Sequence, residues 1–367
     1  MKVSILLLFL VIGVFSKLEF VSEISRHGAR ASSQIMNYTV DPEDNFKVPM
    51  ELTNMGMRQH YLIGTHVRKH YIENHKLISG RYNYSEISFF SSDRTRTLES
   101  GESQIAGIFP PTECQQTLTD WQQKNAIPPV SIEDVDKIQK ELKEKALPEC
   151  FNMAPVASEM NEHSYDIQCQ DSNCKSYHEV SSKLCASDEQ ADLKKPILDF
   201  LYPTFNEHIG EVTMEEVGEI CSYLVLADLH KLELTFDWWK HKKDQPQEDG
   251  VENSDLFSDI INNCESLQSA GLYCLSWGDE RLWKIGAKHY LDKLIISMDK
   301  IIAGEPNPKM ELNFSHDTSL AIILSGFGDL TKVNPPLAST VFVELHNEGD
   351  EHYVVTMFNG NPIVFGD

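Results

Sequence analysis

The chain is short of positive charge. Against 56 Asp and Glu it has only 32 Lys and Arg, a formal net charge of −24 over 367 residues. Such a surface repels nucleic acid and anionic membranes, which sets those partners aside. Long apolar runs are missing after the N-terminus, so no later segment has the length of a membrane-spanning helix. No lipid-anchor signal stands at the C-terminus, and internal repeats and low-complexity tracts are absent. Double-CxxC and zinc-finger spacings are lacking too, so a zinc reading of Cys169, Cys174 and His178 ranks well below disulfides.

The N-terminus itself is apolar. Met1-Lys2 precedes a nearly uninterrupted apolar stretch over residues 3–15 and then Ser16, the pattern of a secretory signal peptide over residues 1–16. Its removal takes away Lys2 and changes the formal charge from −24 to −25. The cysteines at 114, 150, 169, 174, 185, 221, 264 and 274 fit that context, where an even number usually means disulfides, although their pairing is not legible. Sequons at Asn37 and Asn83 sit in polar surroundings suited to glycans, whereas Asn313 falls in an expected buried strand and should be bare. As pH falls towards about 5, the histidines gain charge and some carboxylates lose it, so the composition suits an acidic compartment.

Periodicity divides the chain. Residues 18–25 read as a first strand. A helix starts at Leu52-Thr53-Asn54, and Met57, Tyr61, Gly64, Val67 and Tyr71 predict its buried face, with His66 and His70 on a solvated one. Residues 86–93 form a second strand, ended by Asp93 as a cap, and the next helix buries Leu98, Gly101, Ile105 and Ile108. Arg94 and Arg96 lie in its first turn, separated by roughly 200° around the axis, so only one of them can face a given site.

After Pro110-Pro111 and residues 128–132 the alternation of strand and helix is lost. Residues 133–285 hold seven of the eight cysteines and a helical spacing at Met214, Val217, Cys221, Leu224 and Asp228. This predicts an inserted, mostly helical, disulfide-braced domain. The cluster Phe236-Asp237-Trp238-Trp239-Lys240 reads as half-buried aromatics with lysines towards solvent. Residues 280–303 read as one amphipathic helix burying Ala287, Tyr290, Leu294, Met298 and Ile301. Residues 309–315 alternate as a strand that runs into His316-Asp317-Thr318 and a helix over 319–324. Strands at 340–345 and 353–358 then close a hairpin through Asn347-Glu348-Gly349-Asp350. The expected fold class is α/β: a central mixed sheet flanked by helices, built from residues 17–132 and 286–367 and interrupted by the insertion.

Chemistry concentrates where strands end. In Ser25-Arg26-His27-Gly28-Ala29-Arg30 two guanidinium groups bracket one imidazole, and arginine forks suit phosphate oxygens. Asp93-Arg96 and Ser315-His316-Asp317 occupy equivalent addresses after their own strands. Open α/β sheets gather ligands at the carboxyl ends of strands, so the three segments are expected to converge. The product is an anion site with a nucleophile and a proton donor; it calls for no metal or other cofactor, because arginines supply the positive charge. Asp317 has a second reading as a helix N-cap, which would keep it anionic.

These motifs, with Leu52-Thr53-Asn54-Met55-Gly56-Met57-Arg58-Gln59 and Ser91-Ser92-Asp93-Arg94-Thr95-Arg96-Thr97, resemble those of the histidine acid phosphatases, the acid-phosphatase branch of the histidine phosphatase superfamily. The resemblance implies that His27 is the phosphorylated nucleophile, that Arg26, Arg30, Arg96 and His316 hold phosphate, and that Asp317 is the proton donor. It favours Arg96 over Arg94. One departure is the missing proline: the family motif usually continues Arg-x-Pro, whereas Arg30 is followed by Ala31-Ser32, which should soften the loop. The implied activity is metal-independent hydrolysis of small phosphate monoesters at acidic pH, in a lysosomal or extracellular setting, with homodimerisation left open. The alternatives are a phytase-like or lipid-phosphate phosphatase, a metal-dependent phosphohydrolase and, outside enzymes, a secreted anion-binding module.

Overall fold

The computed structural model describes residues 16–111, 117–130, 132–148, 152–159, 174–236, 254–328 and 332–363. Its strands are β1 (Lys17–Arg26), β2 (Thr39–Val40), β3 (Ile87–Ser92), β4 (Ala157–Glu159), β5 (Glu233–Leu234), β6 (Met310–Ser315), β7 (Thr340–Glu348), β8 (Glu351–Phe358) and β9 (Asn361–Pro362). Seven of them form one mixed sheet in the order β4-β3-β6-β1-β7-β8-β9, while β2 and β5 pair separately. In the centre β1 runs parallel to β6 and antiparallel to β7. From Phe20 onward every residue of β1 is buried, because helices cover both faces of the sheet.

The helices are α1 (Asn54–Val67), α2 (Thr95–Ile108), α3 (Asp120–Asn125), α4 (Val135–Leu142), α5 (Lys175–Cys185) and α6 (Asp188–His208) in the first part. They continue with α7 (Val217–Leu229), α8 (Ser254–Leu272), α9 (Glu280–Gly286), α10 (Lys288–Ile302) and α11 (Asp317–Gly326). On one face of the sheet Val67, Tyr71, Ile105 and Ile108 pack on Val21, Leu312 and Phe314. Across it, Leu282, Tyr290, Leu294 and Leu320 pack on Phe20, Ile24 and Val343. A third cluster joins α6, α7 and α8 through Phe205, Leu224 and Ile260, with Ala31 and Phe46 contributed by the loop after β1. Two disulfides brace this helical part, Cys185–Cys274 and Cys221–Cys264. Cys174 is disulfide-bonded as well, which removes it from any zinc set with His178.

Several expectations shift. The buried face of α1 is Gly56, His60, Gly64 and Val67, while Met57 and Tyr61 are 38% and 39% exposed. The cause is a close helix crossing: a Cβ on Gly64 would meet the Gln104 carbonyl oxygen at 2.0 Å, and one on Gly107 the Tyr61 oxygen at 2.3 Å. Glycines therefore mark the contact: in the first two turns the buried positions are displaced by one residue, to Gly56 and His60, while Gly64, Val67 and Tyr71 are buried as expected. Asp93 does not cap α2, which starts from Arg94 with no side-chain cap. The helix expected over 280–303 divides at Ala287 into α9 and α10. Met214 precedes α7 and is exposed, although Val217, Cys221 and Leu224 are buried as expected. Inside the 133–285 stretch, β4 extends the central sheet by pairing in parallel with β3.

Asn313 is buried in β6, whereas Asn37 is exposed and Asn83 half-buried. Among the described residues no helix is long and apolar enough to cross a membrane. The signal stretch up to residue 15, Cys114, Cys150, Cys169 and residues 237–240 lie outside the described residues.

Candidate active site

The carboxyl ends of β1, β3 and β6 lie side by side, because β6 pairs in parallel with both neighbours. Each strand delivers one functional segment. After β1 the chain turns at His27-Gly28, where the His27 N–H still donates to the Ser315 carbonyl at 2.9 Å. Gly28 is required by contact: a Cβ there would stand 2.5 Å from the Gly56 oxygen at the start of α1. Next, the Ala29 N–H donates to Gln59 Oε1 at 2.8 Å, and the Ala29 carbonyl accepts from the Thr53 N–H and hydroxyl at 2.9 and 3.1 Å. The Ala31 N–H reaches the Glu51 carbonyl. Ala29, Ala31 and Ser32 are thus buried in a loop tied to the N-terminus of α1, with no proline needed for that anchoring.

His27 is 2% exposed. Its Nδ1 lies 2.9 Å from the Gly28 carbonyl oxygen, an acceptor, so Nδ1 carries the proton and Nε2 keeps its lone pair. Burial, first, and then the charges of Arg26, His316 and Arg96 hold its pKa well below the ordinary histidine value. Desolvation is the larger cause, and the flanking arginines add to it.

The remaining candidates surround it. The Arg26 guanidinium pairs with Asp317, Nη2 to Oδ2 at 2.7 Å, and its Nη1 donates to Asn334 Oδ1 at 3.3 Å and to the Pro335 carbonyl. Arg96 Nη2 donates to His316 Nδ1 at 3.3 Å. His316 Nε2–H then donates to Ser92 Oγ at 2.9 Å, which fixes the ring. The two histidine rings meet edge to face with centroids 5.5 Å apart. Burial and Arg96 lower the His316 pKa to about 3, so it stays neutral in mild acid. Arg30 is lowered to about 10, by burial and then by Arg26 and Arg96, which leaves it fully charged. Arg94, by contrast, is exposed.

Asp317 is the first residue of α11, after His316 at the cap position. Its Oδ1 accepts from the Thr318 N–H at 2.8 Å. Burial raises its pKa, but Arg26, His316, the Thr318 amide and Arg30 outweigh that and leave it lowered. The aspartate therefore combines a local helix-end contact with an ion pair across the site.

Two donors stand out. The Nε–H groups of Arg26 and Arg96 are buried with no hydrogen-bond partner among the described residues. A buried guanidinium donor left unsatisfied is costly, and an oxyanion would satisfy both at once. All six residues singled out in the sequence are thus brought together. Ser92, Asn334, Gln59 and Ser100, whose Oγ accepts from the Gly28 N–H at 3.1 Å, went unassigned. Gln59 and Ser92 lie inside the recognised motifs; nothing in the sequence signalled Asn334. Among the described residues no group of three or more His, Cys, Asp or Glu is arranged to hold a metal ion.

Fold and site together define an α/β protein with three arginines, two histidines and an aspartate clustered at the carboxyl ends of its central strands. The model of the histidine phosphatase superfamily, branch 2, matches residues 17–359, and the chain belongs to that family. It is 24% identical to mouse prostatic acid phosphatase over 347 residues, covering 93% of this chain and 78% of the mouse protein. Rat lysosomal acid phosphatase is likewise 24% identical over 350 residues, with 94% and 71% covered. The fold is similar to that of the Bifidobacterium longum multiple inositol polyphosphate phosphatase in its apo form, at a TM-score of 0.57, 12% identity and coverage of 96% and 88%. It is also similar to the Klebsiella sp. ASR1 phytase, at 0.54, 14% identity and coverage of 94% and 83%.

Proposed function

We propose that the protein is an acid phosphatase that hydrolyses phosphate monoesters through a phosphohistidine at His27. The observation that carries this reading is the tautomer: the Gly28 carbonyl holds the proton on Nδ1, so Nε2 presents a lone pair among cations. Attack by Nε2 on phosphorus displaces the alcohol, and water then cleaves the N–P bond to release phosphate. Arg26, Arg30 and Arg96 neutralise the equatorial oxygens, and the two unpartnered Nε–H groups gain acceptors only when an oxyanion arrives. His316 holds Arg96 through Nδ1.

Asp317 supplies the leaving-group proton in this scheme, although in the free protein it is an ion-paired carboxylate. The phosphoryl group resolves the conflict. Its negative charge competes for Arg26 and repels the carboxylate, so substrate binding raises the Asp317 pKa and acid pH loads the proton. No metal is needed in this scheme. Activity retained in excess chelator supports that, and loss restored by a divalent cation would overturn it.

A small monoester fits better than a polyphosphate such as phytate. Glu219 acts electrostatically on Arg30 and Glu51 on Arg96, so carboxylates near the arginines oppose further anionic groups. The relatives named lysosomal and prostatic, together with the signal-like start, support a secretory route to an acidic or extracellular compartment. The exposed Asn37 and half-buried Asn83 are the proposed glycan sites. Brief reaction with labelled nitrophenyl phosphate followed by alkaline quench should trap acid-labile phosphoprotein, absent in His27→Ala; a fully active His27→Ala protein would reject the covalent route.

A further inference from the structure

Behind the loop that carries His27 lies a chain of polar side chains with no access to solvent. Glu23 on β1, Gln104 on α2 and His60 on α1 are each 0% exposed. Gln104 Nε2 lies 2.9 and 2.7 Å from the two Glu23 oxygens, and its Oε1 lies 3.0 Å from His60 Nδ1. His60 Nε2 lies 3.0 Å from the carbonyl oxygen of Arg26, the residue before His27.

Donor and acceptor counting shows what this geometry requires. With the amide oxygen towards His60, both imidazole nitrogens face acceptors, so the ring must be a cation and Glu23 an anion. The two ends of an amide are nearly equal in shape, and turning Gln104 over leaves the distances nearly unchanged. Its N–H then donates to His60 Nδ1, its oxygen accepts from the single O–H of a Glu23 carboxylic acid, whose other oxygen turns slightly away from the amide oxygen, and His60 Nε2–H still donates to the Arg26 carbonyl. Both arrangements hold the same number of protons, but only the second buries no charge.

The surroundings decide between them. Besides Gln104, the group that bonds to Glu23 is the Ser25 hydroxyl, and more distantly the phenols of Tyr71, in the π-helical stretch after α1, and Tyr290 on α10 sense it. His60 otherwise meets the ring of Phe314. No cation among these described groups compensates a carboxylate, and an uncompensated buried charge is costly. Burial pushes Glu23 up to about 8 and His60 below its ordinary value, in agreement with the uncharged arrangement.

We propose that Glu23 is a neutral carboxylic acid whose hydrogen bonds run through Gln104 and His60 to the Arg26 carbonyl, making all three positioning residues for His27. The role assigned to His27 is that of the preceding section. The relay itself is a property of the folded chain whatever His27 does.

The test has a spectroscopic arm and a kinetic arm. Difference infrared spectra of the full-length protein should show a carboxylic-acid carbonyl band that disappears in Glu23→Gln and fades as pH rises through about 8. Absence of that band overturns the proposal independently of any catalytic role of His27. In the kinetic arm, Glu23→Ala should lower kcat roughly tenfold to hundredfold with KM little changed, as expected for a displaced nucleophile. Glu23→Gln, whose amide N–H donates to Gln104 as the acid does, should restore kcat at pH 5 and flatten the fall above pH 7. A Glu23→Gln protein as impaired as Glu23→Ala, or with an unaltered alkaline limb, would contradict the positioning role. Should Glu23→Ala not fold, Glu23→Gln and the infrared band still decide.

Discussion

Arg26 Nη2 stands 2.7 Å from Asp317 Oδ2, joining the end of β1 to the start of α11 by an ion pair whose arginine side chain is only 9% exposed. The residue proposed to donate a proton is thus held as an anion by a residue proposed to bind phosphate. In the proposed mechanism acid catalysis and phosphate binding are coupled, because the negative charge of a phosphoryl group drawn to Arg26 weakens that arginine's pairing with Asp317.

Asp317→Asn should therefore show a dependence on the leaving group. With an alkyl phosphate, whose alkoxide leaves poorly, kcat should fall by roughly 10²–10⁴-fold, whereas a nitrophenyl ester should lose far less. Equal, modest losses on both substrates in steady-state kinetics would show that Asp317 serves only the helix end, where it accepts from the Thr318 N–H.

The acid limb of the kcat/KM profile should lie well below the ordinary histidine pKa. In the proposed mechanism His27 attacks as the neutral imidazole, and its pKa is held far down; burial and Arg96 lower that of His316 as well. Activity should persist as pH falls through 6.5 towards 4. A limb near pH 6.5 in the pH–rate profile would mean that His27 is not the titrating group or is not buried in solution.

Folding stability should carry the signature of Glu23. Its folded pKa, about 8, lies above the ordinary carboxylate value, so the folded state keeps a proton that the unfolded state has lost. Stability from this residue is present at low pH and drains away as pH rises towards 8. Between pH 6.5 and 8 the gap between the parent and Glu23→Gln unfolding free energies should change by about 1.4 kcal/mol per pH unit. Denaturant titrations at three pH values measure it, and parallel curves would refute it. Below pH 6.5 the neutral buried histidines oppose the trend, so the comparison belongs above that value.

Removing the carboxylates beside the arginines should broaden substrate choice. Glu51→Gln and Glu219→Gln together should lower KM for phytate several-fold at low ionic strength while changing nitrophenyl phosphate little. The difference should shrink in high salt, because partly exposed charges are screened. An unchanged KM ratio would remove these residues from the determinants of selectivity.

Gly28→Ala should cost about 2–3 kcal/mol or more, because overpacking forces backbone apart. Here the new methyl would meet the Gly56 oxygen and Cα at 2.5 and 2.6 Å. Thermal unfolding should show the loss, with activity falling alongside it; a wild-type melting curve would mean that the loop and α1 separate easily.

The central strands and the six residues that cluster at their carboxyl ends were legible in the sequence because strand patterning and strand-end motifs are local signals. His27, Arg96 and Asp317 each follow or flank a strand within a few residues. What was hidden arises from contacts between distant segments. The buried stripe of α1 depends on glycines that face α2, and Met57 looked apolar enough to belong to it. Glu23 sits in a mixed apolar and polar stretch that says only strand; that its carboxyl is enclosed with Gln104 and His60 emerges from the crossing of two helices over β1. The ion pair of Asp317 likewise changes a residue expected to be an acid into one that begins as a base.

Asn334 gives the helical part of the chain a stake in the chemistry. Its side-chain oxygen accepts from Arg26 Nη1, its amide donates to Gln268 Oε1 at 3.1 Å, and its backbone N–H donates to Ser269 Oγ at 3.0 Å. One asparagine thus acts as a strut between α8 and the arginine beside His27. The same helix carries Cys264, whose disulfide to Cys221 ties it to α7. The arginine next to His27 is therefore braced from a region that supplies none of the clustered charged or imidazole groups.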